Sequence, residues 1–285
     1  MPQYLTTREV AELMRVKERK VYDLAAAGAI PHRRATGKLL FPLAEITAWI
    51  EGGERSAPAA RPPVLAGSHD PLLDWAVRES ACGLSSLYEG SADGLERFRL
   101  GRAALCGLHV PEDGGWNVAA VASQGLRDCV LISWAARWQG LILAQGAAGT
   151  VRSLADLAGR RVALRQPGAG ARALFDRLWA QAGLDPAVLV AAPGVARTES
   201  DLAVAIASGA AEAGIGLQSM ARQFRLDFVP LTEERFDLLV DRRSWFTTPL
   251  QTLMSFTASA AFREHAQALG GYDVSETGQV RWLSP

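Results

Sequence analysis

Apolar residues near the start of the chain recur at the spacing of short amphipathic helices. Thr6, followed three residues later by Glu9, has the pattern of a capping box and predicts the start of a first helix. A second helix is predicted over about 17–27, because Gly28 follows its last turn, and a third over about 43–50. The residues predicted to face inward are Val10, Ala11, Leu13, Met14, Val21, Leu24, Ala25, Ile46, Trp49 and Ile50.

Two extended segments separate the second and third of these helices. The first begins at Ile30–Pro31 and the second is Leu39–Pro42, which predicts a small hairpin with a basic tip. Seven basic and two acidic residues between Arg15 and Lys38 give a local charge of +5, although the whole chain has a formal net charge of +0. Because such a cluster neutralises phosphates, the pattern predicts a winged helix-turn-helix domain that binds DNA over residues 1–52.

The second helix is predicted to enter the major groove, and the hairpin to contact the backbone or the minor groove. The predicted DNA-contacting residues are Lys17, Arg19, Lys20, Tyr22, Arg33, Arg34 and Lys38. The alternative is that the cluster is only a solvated basic face on a small helical domain.

The spacing of several short motifs carries a family resemblance. These motifs are Leu5–Leu13 (LTTREVAEL), Val21–Tyr22, Gly28–Pro31 (GAIP), Phe41–Pro42, Glu45–Ile46 and Trp49. Together they resemble the winged helix-turn-helix of the excisionase and MerR-like family. Members usually cap the recognition helix with serine or threonine, where this chain has Lys17, so we expect a cap worth about 1 kcal/mol to be absent.

Beyond a predicted linker at residues 53–63, rich in Gly, Ala and Pro, short apolar runs alternate with amphipathic stretches. Residues 64–285 are therefore predicted to form an α/β domain of two lobes, with a mostly parallel sheet and helices on both faces. Strands are predicted at 64–66, 103–106, 129–133, 140–144, 161–164, 213–216, 228–231 and 236–240. Helices are predicted at 72–78, 95–98, 153–157, 172–182, 202–208, 248–255 and 259–269.

Three polar or glycine-rich turns precede helices in this domain: Gly67–Asp70, Gly90–Gly94 and Gln166–Arg172. Ligands of α/β sheets bind beyond the carboxyl ends of strands, so these turns are predicted to meet in one cleft between the lobes. The N–H groups at a helix start favour an anion there. The predicted ligand-binding residues are Ser68, His69, Ser91, Arg165, Gln166, Gly168, Ala169, Gly170, Ala171, Arg172, Thr198 and Gly214.

Each of these residues also has an ordinary structural interpretation. The glycine-rich turn is also typical of a plain strand-to-helix connection, Ser68 and Ser91 of helix caps, and His69 of a structural side chain. Arg165 and Arg172 either hold an anion or form surface salt bridges.

Seven stretches of the large domain, in their order along the chain, carry a second family resemblance. They are Gly67–Asp70 (GSHD), Gln139–Ile142 (QGLI), Ser153–Leu157 (SLADL), Arg165–Arg172 (RQPGAGAR), Ala205–Gly216 (AIASGAAEAGIG), Asp227–Leu231 (DFVPL) and Leu269–Asp273 (LGGYD). They resemble the type 2 periplasmic-binding-protein fold, in the subgroup related to molybdate-binding proteins that is fused to DNA-binding modules. The resemblance implies a molybdate- or tungstate-type oxyanion, or a molybdenum-related ligand.

This chain departs from that pattern at the proposed site. Ala169 and Ala171 stand where the resemblance predicts hydroxyl residues, and Glu199 would repel a dianion if it faced the cleft. Trp134 and Trp138 suit either a flat organic ligand or, as we favour, the core.

Composition narrows the classes of function. With 285 residues, 49% hydrophobic and 21% charged, the chain can bury a sizeable core. It shows no signal-peptide pattern or membrane-length apolar run, and its three cysteines lack metal-ligand spacing, so we expect reduced thiols in a cytoplasmic protein without a cofactor. Its four histidines form no catalytic motif, so we do not expect an enzyme.

The leading hypothesis is a homodimeric transcriptional regulator that binds operator DNA and responds to a small ligand in the interlobe cleft. The ligand is predicted to be a molybdate-type oxyanion, with a small organic acid or aromatic molecule as the alternative. A cytoplasmic ligand buffer that does not bind DNA is the third hypothesis.

Overall fold

A computed structural model describes residues 4–35, 37–51 and 60–285. The chain divides into two compact units, Met1–Ala59 and Ala60–Pro285. Thr36, at the tip of the predicted hairpin, and residues 52–59, which include most of the predicted linker, lie outside the described residues. The predicted domain and linker boundaries therefore stay predictions.

The N-terminal unit contains short helices around a small antiparallel sheet with strand order β1-β3-β2. Val10, Val21, Phe41 and Ile46 are fully buried and form the centre of its core. The elements are β1 (Tyr4–Leu5), α1 (Thr7–Met14), α2 (Glu18–Ala26), β2 (Arg33–Ala35), β3 (Lys38–Pro42) and α3 (Leu43–Glu51).

Local capping signals are confirmed in this unit. The Thr6 hydroxyl accepts from the Glu9 N–H while the Glu9 carboxylate accepts from the Thr6 N–H, which completes the capping box. Lys17 occupies the N-cap position of α2 without a side-chain capping bond, as predicted. Leu13 and Ile50 are exposed, so their predicted inward orientation is wrong, because α1 and α3 bury only a narrow stripe against the sheet.

The large unit is built on one twisted sheet with helices packed on it. Its elements are β4 (Val64–Gly67), α4 (Pro71–Glu79), β5 (Ser85–Leu87), α5 (Ser91–Arg99), β6 (Leu105–Leu108), β7 (Pro111–Glu112), β8 (Gly115–Trp116), α6 (Val118–Ala122), β9 (Cys129–Leu143), β10 (Arg161–Ala163), α7 (Gly170–Gln181), β11 (Val190–Ala191), α8 (Glu199–Ala207), β12 (Ala213–Leu217), α9 (Gln218–Gln223), β13 (Asp227–Asp241), α10 (Thr248–Thr257), α11 (Ala260–Leu269), β14 (Tyr272–Asp273) and β15 (Val280–Leu283). Residues Ser153–Leu157 include a short 3₁₀ turn rather than an α-helix.

Two long strands define the architecture of the sheet. The strand order is β11-β10-β12-β9-β13-β6-β4-β5, and β9 and β13, each of 15 residues, pair antiparallel through both lobes. The sheet is mixed rather than mostly parallel, because parallel pairs are confined to its two ends. One lobe contains β4, β5 and β6, and the other contains β10, β11 and β12.

The four strands predicted at 129–133, 140–144, 228–231 and 236–240 are in fact two continuous strands. The prediction was wrong because polar side chains such as Arg137 and Glu234 interrupt the apolar runs. Both side chains are nevertheless buried in the sheet, where they pair with each other.

A separate apolar core supports each lobe. Leu65, Leu73 and Phe262 belong to the core of one lobe, and Val162 and Phe175 to that of the other. Trp134 is buried in the first of these cores, which agrees with the interpretation we favour for it. Trp138 is 41% exposed, so the same interpretation is wrong for Trp138. All three cysteines are buried and free. Among the described helices, none is long and apolar enough to cross a membrane.

Three helices begin at least two residues earlier than predicted, and each of these early starts lies at the cleft. Helix α5 begins at Ser91 instead of 95, α7 at Gly170 instead of 172, and α8 at Glu199 instead of 202. Their first turns carry small or polar residues, so the apolar period that defines a helix in the sequence starts only later.

Candidate functional site

The predicted DNA-binding surface is an exposed basic face on the N-terminal unit. Lys17, Arg19, Lys20 and Tyr22 are all exposed at the start of α2 or along it. On the hairpin, Arg34 and Lys38 are exposed, while Arg33 forms a partly exposed salt bridge with Glu45, at 2.8 Å. The face therefore presents the basic side chains to solvent, as phosphate contacts require.

In the large unit, Ser68 and Ser91 come together at one end of the cleft, which we call the serine corner. Their hydroxyl oxygens lie 2.8 Å apart, and both residues are almost completely buried. The His109 N–H donates to Ser91 Oγ at 3.3 Å. The two hydroxyl groups carry two hydrogens, and the bond between the serines uses one of them. The other hydroxyl hydrogen is therefore available for another acceptor.

The glycine-rich turn of the other lobe faces the serine corner. Ala169 is the N-cap of α7 and has no side-chain capping bond, and Gly170 and Ala171 are buried at the first positions of the helix. By helix geometry, their N–H groups have no acceptor within α7. Backbone donors and the positive end of the α7 dipole therefore lie beside the serine hydroxyls.

Close backbone contacts join the two lobes at this point. The Ala92 N–H donates to the Gly168 carbonyl at 3.3 Å. A methyl group added at Gly170 would lie 2.4 Å from the His109 carbonyl oxygen, and one added at Gly90 would lie 2.9 Å from the Gly168 oxygen. Glycine at these positions allows the lobes to approach each other. A cavity of about 500 Å³ opens beside Ser91 and residues 168–170.

A buried set of charged and polar side chains lies where β9 and β13 pass between the lobes. We call Asp70, His109, Arg137, Gln139 and Glu234 the hinge network. The bonds are Arg137 Nη1 to Asp70 Oδ2 at 2.6 Å, Arg137 Nε to Glu234 Oε1 at 2.6 Å, Gln139 Nε2 to Glu234 Oε1 at 2.9 Å, and His109 Nδ1 to Glu234 Oε2 at 2.9 Å. Asp70 also accepts from Leu73 N, Trp134 Nε1 and Tyr272 Oη.

Electrostatics keep Glu234 ionised despite its burial. Burial alone would raise the pKa of Glu234, but Arg137 and His109 outweigh it and lower that pKa to about 2. Burial raises the pKa of the neighbouring Tyr272 phenol, so the phenol stays protonated and donates a hydrogen bond to Asp70. The Arg137 guanidinium also stacks 4.4 Å from the Phe236 ring centre.

Arg165 and Glu199 form a second buried ion pair, within the other lobe. Arg165 further donates to the backbone carbonyls of Ala196 and Arg197. The guanidinium therefore fixes the loop before α8 and is already neutralised by a carboxylate. Burial lowers the pKa of His69, and Glu199 opposes this shift, so the charge of Glu199 acts across the cleft on His69.

The other predicted residues lie in varied surroundings. His69 packs edge-on against Tyr88, Gln166 donates to Arg197 O, and Arg172 pairs with Asp176 on a partly exposed helix face. The Thr198 hydroxyl caps α8. Gly214 lies within β12, where its lack of a side chain makes room for Leu202, so the structure does not bring it together with the turns.

Sequence reasoning did not identify the hinge network. Arg137 and Glu234 form a buried charge pair although they lie 97 positions apart, and in the sequence His109 is only one of four scattered histidines. The one available signal was an arginine in the apolar stretch from Val130 to Leu143, because such a residue is rarely buried without a partner.

Comparisons with known proteins agree with both units. Residues 75–258 match the family described as PBP superfamily domain, and residues 4–54 match a helix-turn-helix domain. The uncharacterised Bacillus subtilis protein YvgK is 28% identical over 300 aligned positions, covering 96% of each chain.

Two solved structures share the fold of the large unit. A phosphate ABC transporter substrate-binding protein from Clostridium perfringens, with bound phosphate, is 12% identical with a TM-score of 0.52, covering 72% of this chain and 96% of that chain. PhnD1 from Prochlorococcus marinus in complex with methylphosphonate is 12% identical with a TM-score of 0.52, covering 75% of this chain and 92% of that chain. With its helix-turn-helix domain and its two-lobed sheet crossed by β9 and β13, this chain belongs to the PBP superfamily domain family.

Proposed function

We propose that this chain is a one-component transcriptional regulator in which ligand binding between the lobes changes the affinity of the winged helix-turn-helix for operator DNA. The observation that carries the proposal is the combination, in one chain, of an exposed basic recognition helix with a binding-protein fold whose lobes meet at the serine corner. A ligand shifts DNA affinity only by binding one conformation more tightly than the other.

The serine corner is the proposed anchor for an anionic group of the ligand. Its one free hydroxyl hydrogen and the first N–H groups of α7 supply donors without a formal charge, which suits an oxyanion excluded from water. Two proteins of the same fold bind phosphate and methylphosphonate, which supports an oxyanion group of this size. Molybdate and tungstate remain the inorganic ligands that the sequence resemblance implies.

DNA binding is tested by fluorescence anisotropy with a duplex that the full chain has selected from a random library. We expect the logarithm of affinity to fall linearly with the logarithm of salt concentration. Lys20→Ala should weaken binding, while Arg102→Ala, which removes an exposed charge from the large unit, should not. No selected duplex and no binding at low salt would favour the ligand buffer instead.

The proposal includes a cytoplasmic homodimer, because helix-turn-helix proteins commonly read two half-sites. Analytical ultracentrifugation of the chain with its selected duplex tests this part. Two chains per duplex and a palindromic selected sequence are expected, whereas one chain on an asymmetric site would reject the dimer.

A further inference from the structure

We propose that the effector is a small aliphatic carboxylic acid, whose carboxylate lies at the serine corner and whose carbon body fills the cavity beside Ser91. This inference rests on the effector site proposed above, and it names the class of molecule and the residues that select it.

The cavity beside Ser91 has an apolar wall from each lobe. Leu95, Val110 and Ala120 line it from the lobe that contains β4, and Pro167 and Ala173 line it from the lobe that contains β10. Their side chains carry neither a donor nor an acceptor, so they favour contact with hydrocarbon over contact with an ion. The carbon body of an organic acid supplies that hydrocarbon surface, and a bare oxyanion does not.

The size of the cavity leads to the same conclusion. Its volume is about 500 Å³, within the range of about 300–1,000 Å³ that is typical of organic-ligand pockets. Since a water molecule takes up about 30 Å³ in the liquid, an oxyanion with four oxygens would leave much of this volume to water. An organic body fills it against the apolar walls.

Small residues at the start of α7 create this room. Ala169, Ala173 and Asp176 follow one another at intervals of four and three residues, so they share one face of the helix, and all three line the cavity. Leu174 and Phe175 point away from that face, into the core of their lobe. Ala169, where the sequence resemblance predicts a hydroxyl residue, therefore adds apolar surface to the cavity.

The lining favours an aliphatic body over an aromatic one. Among the described residues that line the cavity, none has an aromatic side chain, and both Trp134 and Trp138 lie outside this set. A planar ring would therefore find no ring to stack on.

The charges of the lining suit a single carboxylate. Arg172 Nε and Asp176 Oδ1 pair at 2.9 Å, so these two lining residues add no net charge. Ser91 and Gly170 also line the cavity, and the Gly170 N–H has no acceptor within α7. The N-terminus of α7 is equivalent to about half an elementary charge, which balances a monoanion better than a dianion.

A molecule in this cavity contacts both lobes where they meet. Ala92 and Gly168 line the cavity, and the Ala92 N–H donates to the Gly168 carbonyl across the cleft at 3.3 Å. An acid held between these walls stabilises the approach of the lobes. That difference in affinity between two conformations is what the proposed regulator requires of its effector.

Thermal unfolding of the full chain tests the class of ligand with three sets of probes. The aliphatic set contains butyrate, isovalerate, 2-hydroxyisovalerate and 4-methyl-2-oxopentanoate, the aromatic set contains benzoate and salicylate, and the inorganic set contains molybdate, tungstate and phosphate. We expect an aliphatic acid to raise the Tm more than any aromatic or inorganic probe at the same concentration. The inference is overturned if no aliphatic acid raises the Tm, or if a probe of another set raises it most.

Isothermal titration with the responding acid tests the walls of the cavity. Ala173→Leu places a larger side chain in the cavity and should weaken binding at least tenfold. Ala180→Leu is the matched control, because Ala180 is exposed two turns further along α7 and does not line the cavity, so binding should change less than twofold.

A second pair of variants tests the opposite wall. Ala120→Leu should also weaken binding at least tenfold, while Ala122→Leu, at an exposed position of the same helix α6, should change it less than twofold. Unchanged affinity in both Ala173→Leu and Ala120→Leu would overturn the inference.

Failure of this inference and failure of the regulator give different results. A chain that binds the aliphatic acid in this cavity but binds no DNA would reject the regulator and leave the ligand class standing. A chain that binds its selected duplex but no aliphatic acid would overturn the ligand class and leave the regulator standing.

Discussion

The basic face of the N-terminal unit and the interlobe cleft both depend on charged side chains, but they hold those charges differently. Lys17, Arg19 and Lys20 are exposed to solvent. Arg137 and Arg165 are buried and each is matched by a carboxylate. Exposed charges act additively and at long range, so single changes have small effects, whereas buried charges form one interdependent set. The first arrangement suits a polyanion, and the second suits a small ligand that fits its partners.

The largest expected difference between the two regions is in stability. Arg137→Met leaves Asp70 and Glu234 buried without their cation, so the free energy of unfolding should fall by about 3–5 kcal/mol. Lys20→Ala should change it by less than about 0.5 kcal/mol. Urea unfolding of both variants measures this difference. Similar changes in the free energy of unfolding for the two variants would show that Arg137 contributes no more to stability than an exposed lysine.

Lobe contact should be the next most sensitive feature. Gly170→Ala places a methyl group 2.4 Å from the His109 carbonyl, which should separate the lobes while leaving each core intact. Amide exchange at Ala92, whose N–H bonds to Gly168 across the cleft, should then accelerate at least tenfold in hydrogen-exchange mass spectrometry. Gly149→Ala is the matched control, because no atom lies within 4 Å of its added methyl group. Unchanged exchange in Gly170→Ala would contradict the contact.

A pH titration should separate two buried carboxylates of opposite behaviour. Burial raises the pKa of Asp237 from 3.8 to about 6, so the folded state holds more protons and stability falls as pH rises between about 4 and 6. The lowered pKa of Glu234 contributes stability above pH 4.5 that is lost as pH falls towards 2.

Asp237→Asn should therefore remove a downward slope in the free energy of unfolding of up to about 1.4 kcal/mol per pH unit between pH 4 and 6. Urea unfolding at a series of pH values measures the slope. An identical slope in the variant and the wild type would contradict the shifted pKa.

The smallest effect is expected at the start of α2. Lys17→Ser supplies the missing cap and should raise the stability of the N-terminal unit by about 1 kcal/mol. The same change removes a proposed phosphate contact, so the salt slope of DNA binding should fall by about 1. Circular dichroism melts and anisotropy at several salt concentrations measure the two effects. A more stable variant with an unchanged slope would remove Lys17 from the DNA interface.

The N-terminal unit was predictable from sequence because its signals are local. The capping box at Thr6 and the missing cap at Lys17 each depend on a few neighbouring residues. The turns at Ser68, Ser91 and Gly168 were also visible, and the structure brings them together.

The hinge network could not be derived in this way. Its partners are distant along the chain, and the continuity of β9 and β13 through polar residues depends on ion pairs that form only in the folded sheet. The sequence predicts that Glu199 would repel an anion in the cleft. That one of its carboxylate oxygens pairs with Arg165 while the other has no hydrogen-bond partner among the described residues is known only from the structure.

The central claim is that the approach or separation of the two lobes at the cleft changes the affinity of the chain for DNA. It is tested most directly by comparing the affinities of wild type, Gly170→Ala and Gly149→Ala full chains for the selected duplex, using anisotropy at one salt concentration. We predict that Gly170→Ala differs from the other two by at least about fivefold, the lower end of typical allosteric coupling. Equal affinities for all three chains, with accelerated exchange at Ala92 in Gly170→Ala, would contradict the claim.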